Sequence, residues 1–381
     1  MSNYTFAVGP AVVYGPGAIS ELGGWLHKLG SRRPVVITDT ALAKAGVADR
    51  VHSAVPQAHV WAEVGGEPST ELVSRALQAV RDHGGDAVVA LGGGSSIDTA
   101  KLACALATND GELAGYAADW DSLSNPGLPL IAVPTTVGSG SEMTRGAVFK
   151  DPVQHSKLVI VSDNLSPRAA LLDPTLLDTL PASVTAATGS DALTQAIEGV
   201  LSTGANAFTD ALHLQAVRMI SRAMPRAVAN SKDTEAMGEM QQAAAMVGAA
   251  LARSGVGAAH AVANTLGGAF PIPHGVACAI MLGPVLRLNA TIVPERFVPI
   301  AQALGAGPSP NAPLAEVAQA VTEAVGKLLA SAQVAWRLRD FPVPAGELRR
   351  VAEQAHAHSD MSTNPRPLAV EEVLGLLEEA W

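Results

Sequence analysis

A run of three glycines after a short apolar stretch constrains the fold of this chain more than any other feature. Asp86–Leu91 leads directly into Gly92-Gly-Gly-Ser-Ser96, and a helical pattern begins at Ile97. This order predicts a strand, a tight turn and a helix, because glycine has no Cβ to obstruct the turn. The first N–H groups of such a helix are unpaired and lie at the positive end of its dipole, so they favour a bound anion.

This glycine turn, Gly92–Ser96, is typical of a site for the diphosphate of a dinucleotide, but the motif alone is weak. Its spacing matches neither GxGxxG nor GxxxxGK[ST]. A plain strand-to-helix turn has the same composition and stays an alternative at this point.

The residues up to Leu180 alternate short apolar runs with helical patterns, which predicts a mainly parallel sheet covered on both faces. The predicted strands are Pro34–Thr38, His59–Val64, Asp86–Leu91 and Pro129–Val133. Beyond Pro181 strand signals nearly vanish, and long Ala-rich helical segments dominate. We therefore expect an α/β dinucleotide-binding domain over residues 1–181 and an all-helical domain over residues 182–381. A ligand is expected in the cleft between them.

Composition narrows the class of protein. The chain has 381 residues, of which 48% are hydrophobic and 16% charged, so it can bury a large core. Its net charge of −10 argues against nucleic acid or an anionic membrane as a partner. The two cysteines, Cys104 and Cys278, lie in apolar contexts and are interpreted as buried free thiols. Together with the absence of a signal peptide or an apolar run of membrane-spanning length, they predict a cytoplasmic protein.

Four polar side chains in the helical half form a second pattern. Asp191 and Gln195 are four residues apart, so on a helix they share a face. His260 and His274 follow in separate segments. A carboxylate, an amide oxygen and two imidazoles suit a divalent ion. Spacing alone leaves open that the histidines are helix caps or hydrogen-bonding core residues.

At this point the chain resembles the iron-containing (group III) alcohol dehydrogenases, in the superfamily of dehydroquinate synthase. The resemblance covers nearly the whole length and rests on motifs that occur in order: Gly92–Lys101, Pro134–Glu142, Leu172-Asp-Pro174 with Leu180-Pro181, Asp191-Ala-Leu193, Pro273–Val276 and Asn364-Pro-Arg366. It implies a Rossmann-like N-terminal domain and an all-α C-terminal domain. It also implies NAD in the cleft, a homodimer, and metal-assisted transfer of hydride between the nicotinamide and a small aldehyde or alcohol.

The resemblance also implies roles for single residues. Asp39 matches the family's acidic residue after the second strand, which favours NAD over NADP because a carboxylate repels a 2′-phosphate. The cofactor-binding residues implied by the family are Asp39, Gly92, Gly93, Gly94, Ser95, Asp98, Thr135, Thr136 and Lys157. For Lys157 a solvated surface amine is an alternative, and for Asp39 a solvated turn residue.

The metal ligands implied are Asp191, His260, His274 and, where the family has a histidine, Gln195. A neutral amide oxygen is a poorer ligand than imidazole for Fe²⁺ or Zn²⁺, so a weaker site is expected. Asn264 replaces a further family histidine near the reacting centre and removes a possible proton relay. We predict His260, His274 and Asn264 at the catalytic centre.

Two arginines, Arg145 and Arg253, are candidates for binding an acidic substrate, since a guanidinium pairs well with a carboxylate or sulfonate. An interdomain ion pair or a solvated arginine is the alternative for both. The substituted ligand position also keeps two other functions open. One is metal-independent reduction of the maleylacetate reductase kind, and the other is nucleotide binding without catalysis.

Overall fold

The computed structural model describes residue 6 and residues 9–151, 156–307, 309, 311–334 and 336–381. These residues form two compact units. One unit contains the described residues up to Leu180 from Gly9 onward, and the other contains those from Pro181 onward together with Phe6.

The first unit is built on a six-stranded parallel sheet with the order β1-β8-β5-β4-β2-β3. A separate antiparallel hairpin pairs β6 with β7. The strands are β1 Ala11–Tyr14, β2 Pro34–Asp39, β3 His59–Val64, β4 Ala87–Gly92, β5 Leu130–Pro134, β6 Gly146–Asp151, β7 Ser156–Val161 and β8 Ala169–Leu172. The central strands β4, β5 and β8 are buried along their whole length because helices cover both faces of the sheet.

The helices of this unit connect the strands and supply that cover. They are α1 Leu22–Lys28, α2 Thr40–Lys44, α3 Val47–Ala54, α4 Thr70–Asp82, α5 Gly94–Leu106 and α6 Leu113–Ala118. One apolar core packs α1 and α3 against the sheet, and another packs α4 and α5 against it. In α4 the apolar residues recur at helical spacing, from Leu72 to Val80, and this face is the buried one.

Every helix of more than five residues in the second unit is α-helical, and no strand is assigned among its described residues. The helices are α7 Ala182–Leu201, α8 Ala207–Ala229, α9 Thr234–Ser254, α10 Ala258–Ala269, α11 His274–Ala290, α12 Phe297–Leu304, α13 Leu314–Ser331, α14 Leu348–His356 and α15 Val370–Ala380. Their high alanine and glycine content lets backbones approach closely. A Cβ on Gly275 of α11 would lie 2.0 Å from the carbonyl oxygen of Ala187 on α7.

The fold class expected from the sequence is confirmed. The four predicted strands correspond to β2, β3, β4 and β5, and the helical character of the chain beyond Pro181 is as expected. The sequence pattern did not identify the four-residue strands β1 and β8, because such short strands carry little periodicity, and it did not identify the β6–β7 hairpin. None of the helices in the described ranges is long and apolar enough to cross a membrane.

Candidate functional site

The glycine turn lies at the carboxyl edge of the parallel sheet. Gly92 ends β4 with a φ of +146°, a conformation that side-chain-bearing residues rarely adopt. Gly93 is the N-cap of α5, so the free N–H groups of the first turn of α5 follow directly. Close packing explains all three glycines: a Cβ at Gly92, Gly93 or Gly94 would lie within 3 Å of Ser96, Thr136 or Ser139, respectively.

Most of the predicted cofactor residues come together at this edge. The backbone N–H of Thr135, just after β5, donates to the carbonyl of Gly92 at 3.0 Å, and Thr136 packs against Gly93. Asp39 ends the neighbouring strand β2 and caps α2 by accepting from Leu42 N at 2.8 Å. Its other carboxylate oxygen lies 3.4 Å from the position a Gly92 Cβ would take. Asp39, the turn and both threonines therefore lie next to one another at this edge.

Asp98 is bound by protein groups. Its carboxylate accepts from Ser141 Oγ and from the backbone N–H of Val148 at 2.9 Å, and it lies 3.9 Å from Lys101 Nζ. Lys101 is fully buried, and burial lowers its pKa to about 8. Burial also raises the pKa of the neighbouring Glu142 to about 7. This group of residues fixes the loop after β5 against α5, and a cofactor contact for Asp98 stays a prediction.

Lys157 was predicted to bind the cofactor, and Arg145 and Arg253 to bind an acidic substrate. Lys157, on β7, forms an ion pair with Glu67 at 2.6 Å. Arg145 forms an ion pair with Asp163 at 3.1 Å, and this partner lies in the same unit. Arg253 is half-buried in the last turn of α9, in the helical unit.

In the helical unit, Asp191 from α7, His260 from α10 and His274 from α11 converge. Asp191 Oδ1 lies 3.3 Å from His260 Nε2 and 3.6 Å from His274 Nε2. Cys278, one turn after His274, places its Sγ 3.6 Å from His274 Nε2. One donor atom from each of these four residues lies within 4.8 Å of the other three, and we call this group the donor cluster.

Glu198 holds His260 in place. Its carboxylate accepts from His260 Nδ1 at 2.6 Å and from the backbone N–H groups of Ala259 and His260 at 2.7 and 3.3 Å. The N–H groups at the start of α10 are thereby satisfied. Because Nδ1 is occupied, Nε2 is directed to the cluster, as in the carboxylate–histidine–metal arrangement of many metal sites.

The sequence interpretation missed Glu198 and Cys278, although their spacing was informative. Glu198 is two helical turns after Asp191, and Cys278 is one turn after His274, so each shares a helix face with a predicted ligand. Cys278 is a buried free thiol, as expected, but its position in the donor cluster was not foreseen.

Gln195 also lies beside the cluster. Its Nε2 donates to Asp191 Oδ1 at 3.1 Å, while its buried Oε1 has no hydrogen-bond partner among the described residues. His274 Nδ1 is likewise buried and unpartnered within the described ranges. Asn264, one turn after His260, donates to Asp360 Oδ2 at 2.9 Å.

The electrostatics of the donor cluster favour deprotonated acids. Burial alone would raise the pKa of Asp191, but His274 and His260 outweigh this effect and lower it. The same two imidazoles lower the pKa of the Cys278 thiol against its burial. Burial disfavours the charged form of His260, yet Cys278, Asp191 and Glu198 raise its pKa. Carboxylate, thiol and imidazole donors that converge in this way fit a divalent metal ion.

One unit has a parallel sheet with a glycine turn, and the other, all-helical unit has a cluster of metal donors. These are the parts expected of a metal-dependent dehydrogenase. Residues 10–174 match the family described as iron-containing alcohol dehydrogenase, and residues 185–381 match its C-terminal family. The chain belongs to the iron-containing alcohol dehydrogenase family. It is an oxidoreductase that acts on alcohol and aldehyde groups.

Individual relatives are similar to this chain over nearly its whole length. The chain is 35% identical to a probable alcohol dehydrogenase, EutG, of Escherichia coli K12, over 99% of this chain and 94% of that protein. It is 31% identical to an NAD-dependent methanol dehydrogenase of Bacillus methanolicus, over 98% and 99% of the two chains. The crystal structure of a 1,3-propanediol oxidoreductase superposes with a TM-score of 0.96 at 33% identity and covers 100% of both chains.

Proposed function

We propose that the protein is an NAD(H)-dependent enzyme that interconverts a small alcohol and its aldehyde at a divalent metal site. The observation that carries this proposal is the convergence of Asp191, His260 and His274 from three helices, with donor atoms 3.3 and 3.6 Å apart. A divalent ion bound there would supply Lewis-acid stabilisation of the oxygen on the carbon that gains or loses hydride.

The side chains around the donor cluster have defined tasks. Glu198 keeps a proton on His260 Nδ1 and so leaves Nε2 free to ligate. Asp191, His260 and His274 are the proposed core ligands, with Gln195 or Cys278 as the source of a fourth protein donor. Asn264 is an amide and cannot transfer a proton in the way of the family's histidine, so we assign it to positioning the substrate.

For the cofactor, we propose NAD at the glycine turn. The N–H groups of the first turn of α5 would bind the diphosphate, and the Asp39 carboxylate, next to Gly92, would accept hydrogen bonds from the ribose hydroxyls. Ser95, Thr135 and Thr136 line the same surface. Asp98 and Lys157 contribute indirectly, through the ion pairs and hydrogen bonds that orient their loops. On this proposal the division near residue 181 separates a cofactor domain from a metal and substrate domain.

The substrate proposed is a short-chain alcohol, diol or aldehyde, as the names of the methanol and 1,3-propanediol relatives suggest. Arg145 is paired with Asp163, so an acidic substrate would have to compete for it. Comparing turnover of neutral and acidic aldehydes of equal length tests the roles predicted for Arg145 and Arg253. Equal turnover of the neutral and acidic aldehydes would contradict the roles predicted for both arginines.

We also propose a homodimer in the cytoplasm. The edge strand β1 pairs with β8 on one side, and about half of the surface of Val12 and of Tyr14 is exposed. An apolar strand edge of this kind is suited to contact with a second copy. Both cysteines are free thiols, which a reducing compartment maintains. Light scattering of the purified protein and of Val12→Lys tests the dimer, because a lysine should weaken association at this edge.

The activity test compares NAD⁺ reduction with primary alcohols and diols, and NADH oxidation with the matching aldehydes, before and after chelation and metal restoration. We expect chelation to abolish turnover, and Asp191→Asn to lower kcat/KM by about 10²-fold or more. Asp178→Asn is the control, since this half-exposed carboxylate pairs with Arg50 and is not a member of the donor cluster. Full turnover in chelator would instead favour metal-independent reduction.

A further inference from the structure

Cys278 occupies a position that fits metal coordination and that the histidine-based expectation left unexplained. It lies on α11 one turn after His274, its side chain is fully buried, and its Sγ faces His274 Nε2 at 3.6 Å. The other cysteine, Cys104, is buried in α5 among apolar side chains. The two thiols of the chain therefore have different surroundings.

Three of the six separations within the donor cluster match those around one zinc ion, and the other three are no longer than 4.8 Å. Bonds of about 2.0–2.1 Å to nitrogen or oxygen and about 2.3 Å to sulfur, at tetrahedral angles, place neighbouring donors roughly 3.3–3.6 Å apart. Asp191 Oδ1 lies 3.3 Å from His260 Nε2 and 3.6 Å from His274 Nε2, which lies 3.6 Å from Cys278 Sγ. The sulfur thus lies at the spacing of a ligand from His274 Nε2.

Gln195 is less suited to be the fourth donor. Its amide nitrogen donates to Asp191 Oδ1 at 3.1 Å, and an N–H group cannot ligate a cation. To ligate through Oε1, the amide would have to turn over and give up the hydrogen bond that orients Asp191. Cys278 requires no such rearrangement. As a thiolate it also adds a negative charge to that of Asp191, which balances a divalent ion.

We propose that Cys278 Sγ is a direct ligand of the metal, beside Asp191, His260 and His274, and that this sulfur makes zinc the preferred ion over ferrous iron. Gln195 is then a positioning residue that orients the Asp191 carboxylate. The preference follows from donor chemistry, because thiolate is a soft ligand that favours zinc. This inference rests on the metal-dependent activity proposed above.

Cobalt substitution tests the ligand directly. The purified protein is stripped of metal and titrated with Co²⁺, and its absorption spectrum is compared with those of Cys278→Ser, Gln195→Ala and the control Cys104→Ser. Thiolate ligation gives a sulfur-to-cobalt charge-transfer band in the near ultraviolet. We expect the band in the unmodified protein, in Gln195→Ala and in Cys104→Ser, and its loss in Cys278→Ser.

Zinc affinity, measured by competition with a chromophoric chelator, gives a second readout. Loss of a residue that only orients a ligand lowers metal affinity by roughly 10- to 100-fold. Loss of a direct ligand should cost no less, so we expect Cys278→Ser to bind zinc more weakly by about 10-fold or more. The zinc-to-iron affinity ratio should fall in the same variant. X-ray absorption of the unmodified zinc protein should show one sulfur at about 2.3 Å, a result that needs no variant to fold.

The outcomes separate this inference from the proposed function. Stoichiometric cobalt binding without a sulfur band, or zinc affinity lost in Gln195→Ala and kept in Cys278→Ser, overturns the ligand assignment and leaves the enzyme proposal standing. Failure of the unmodified protein to bind either metal overturns both.

Discussion

The glycine turn and the donor cluster are built in opposite ways. The turn is made of consecutive residues, Gly92–Ser96, and it offers backbone N–H groups whose direction is fixed by φ angles and close packing. The donor cluster is made of side chains from three helices, α7, α10 and α11, that together span positions 191 to 278 of the chain. A backbone site depends on local conformation, whereas a side-chain site depends on how helices pack.

The two regions also treat buried charge differently. Around the turn, Lys101 donates to Ser141 and to Thr144, and Asp98 accepts from Ser141 and Val148, so protein partners satisfy the charges. In the cluster, the Asp191 carboxylate is surrounded by groups that ligate cations. Protein groups complete the first arrangement, and the second is suited to being completed by an ion.

Gly275→Ala should break the cluster with the largest effect. The added Cβ would lie 2.0 Å from the Ala187 carbonyl oxygen, and the clash could be relieved only by moving the backbone of α7 or α11. We therefore expect the free energy of unfolding to fall by about 3 kcal/mol or more. His274 would move with α11, and metal binding should fall as well. Urea unfolding and metal titration measure both effects.

Gly326→Ala is the matched control for that prediction. Gly326 is in the interior of α13, and its added Cβ would meet no atom within 4 Å. It should stabilise the protein by up to about 1 kcal/mol, as alanine favours the helix. Equal effects of the two substitutions would show that helix propensity, and not the α7–α11 contact, dominates.

Glu142→Gln should sharpen the contrast in buried charge. Burial raises the pKa of Glu142 to about 7, so the folded protein keeps this proton while the unfolded chain releases it near pH 4.5. The folded state binds more protons over this window, and Glu142 therefore lowers stability as pH rises from 4.5 to 7, by about 3 kcal/mol in total. Glutamine removes that slope. Burial lowers the pKa of Lys101 to about 8, and its contribution has the opposite sign, rising with pH above 8.

Thermal or urea unfolding of both proteins between pH 4.5 and 7.5 measures this effect. The free energy of unfolding of the variant, relative to that of the unmodified protein, should increase steadily as pH rises. Parallel pH profiles would mean that Lys101 compensates the Glu142 charge fully in the folded state.

Glu198→Gln should weaken the cluster without repacking it. The amide keeps the size of the side chain but loses the charge that binds His260 Nδ1 and two backbone N–H groups. We expect metal affinity to fall about 10- to 100-fold. Glu239→Gln, which removes a surface ion pair with Arg222, should leave it unchanged. A Glu198→Gln protein with full metal affinity would contradict the orienting role.

What the sequence could predict follows the same division. The glycine turn was predictable because strand ends and glycines are local signals, whereas the cofactor role of Asp39, at the end of the neighbouring strand, was implied by the resemblance. Residue chemistry alone left Asp191, His260 and His274 as one of two interpretations, and the resemblance was needed to imply a ligand set, since no spacing rule brings separate helices together. Glu198 and Cys278 were not predicted because a carboxylate or a thiol in an apolar helical segment has no sequence signal that separates a buried partner of a metal site from an ordinary core residue.

Asp39→Asn is the mildest test, directed at the glycine turn. Asparagine can still cap α2 through Leu42 N, so the fold should be kept, while the negative charge beside Gly92 is lost. With less repulsion of a 2′-phosphate, the preference for NAD over NADP should fall about 10-fold, equivalent to about 1.4 kcal/mol. The ratio of kcat/KM for the two cofactors measures this shift. Asp49→Asn, on the exposed side of α3, makes the same change in net charge and should leave the ratio unchanged. If both variants shift it equally, the general field of the protein sets cofactor preference, and Asp39 has no special contact with the ribose.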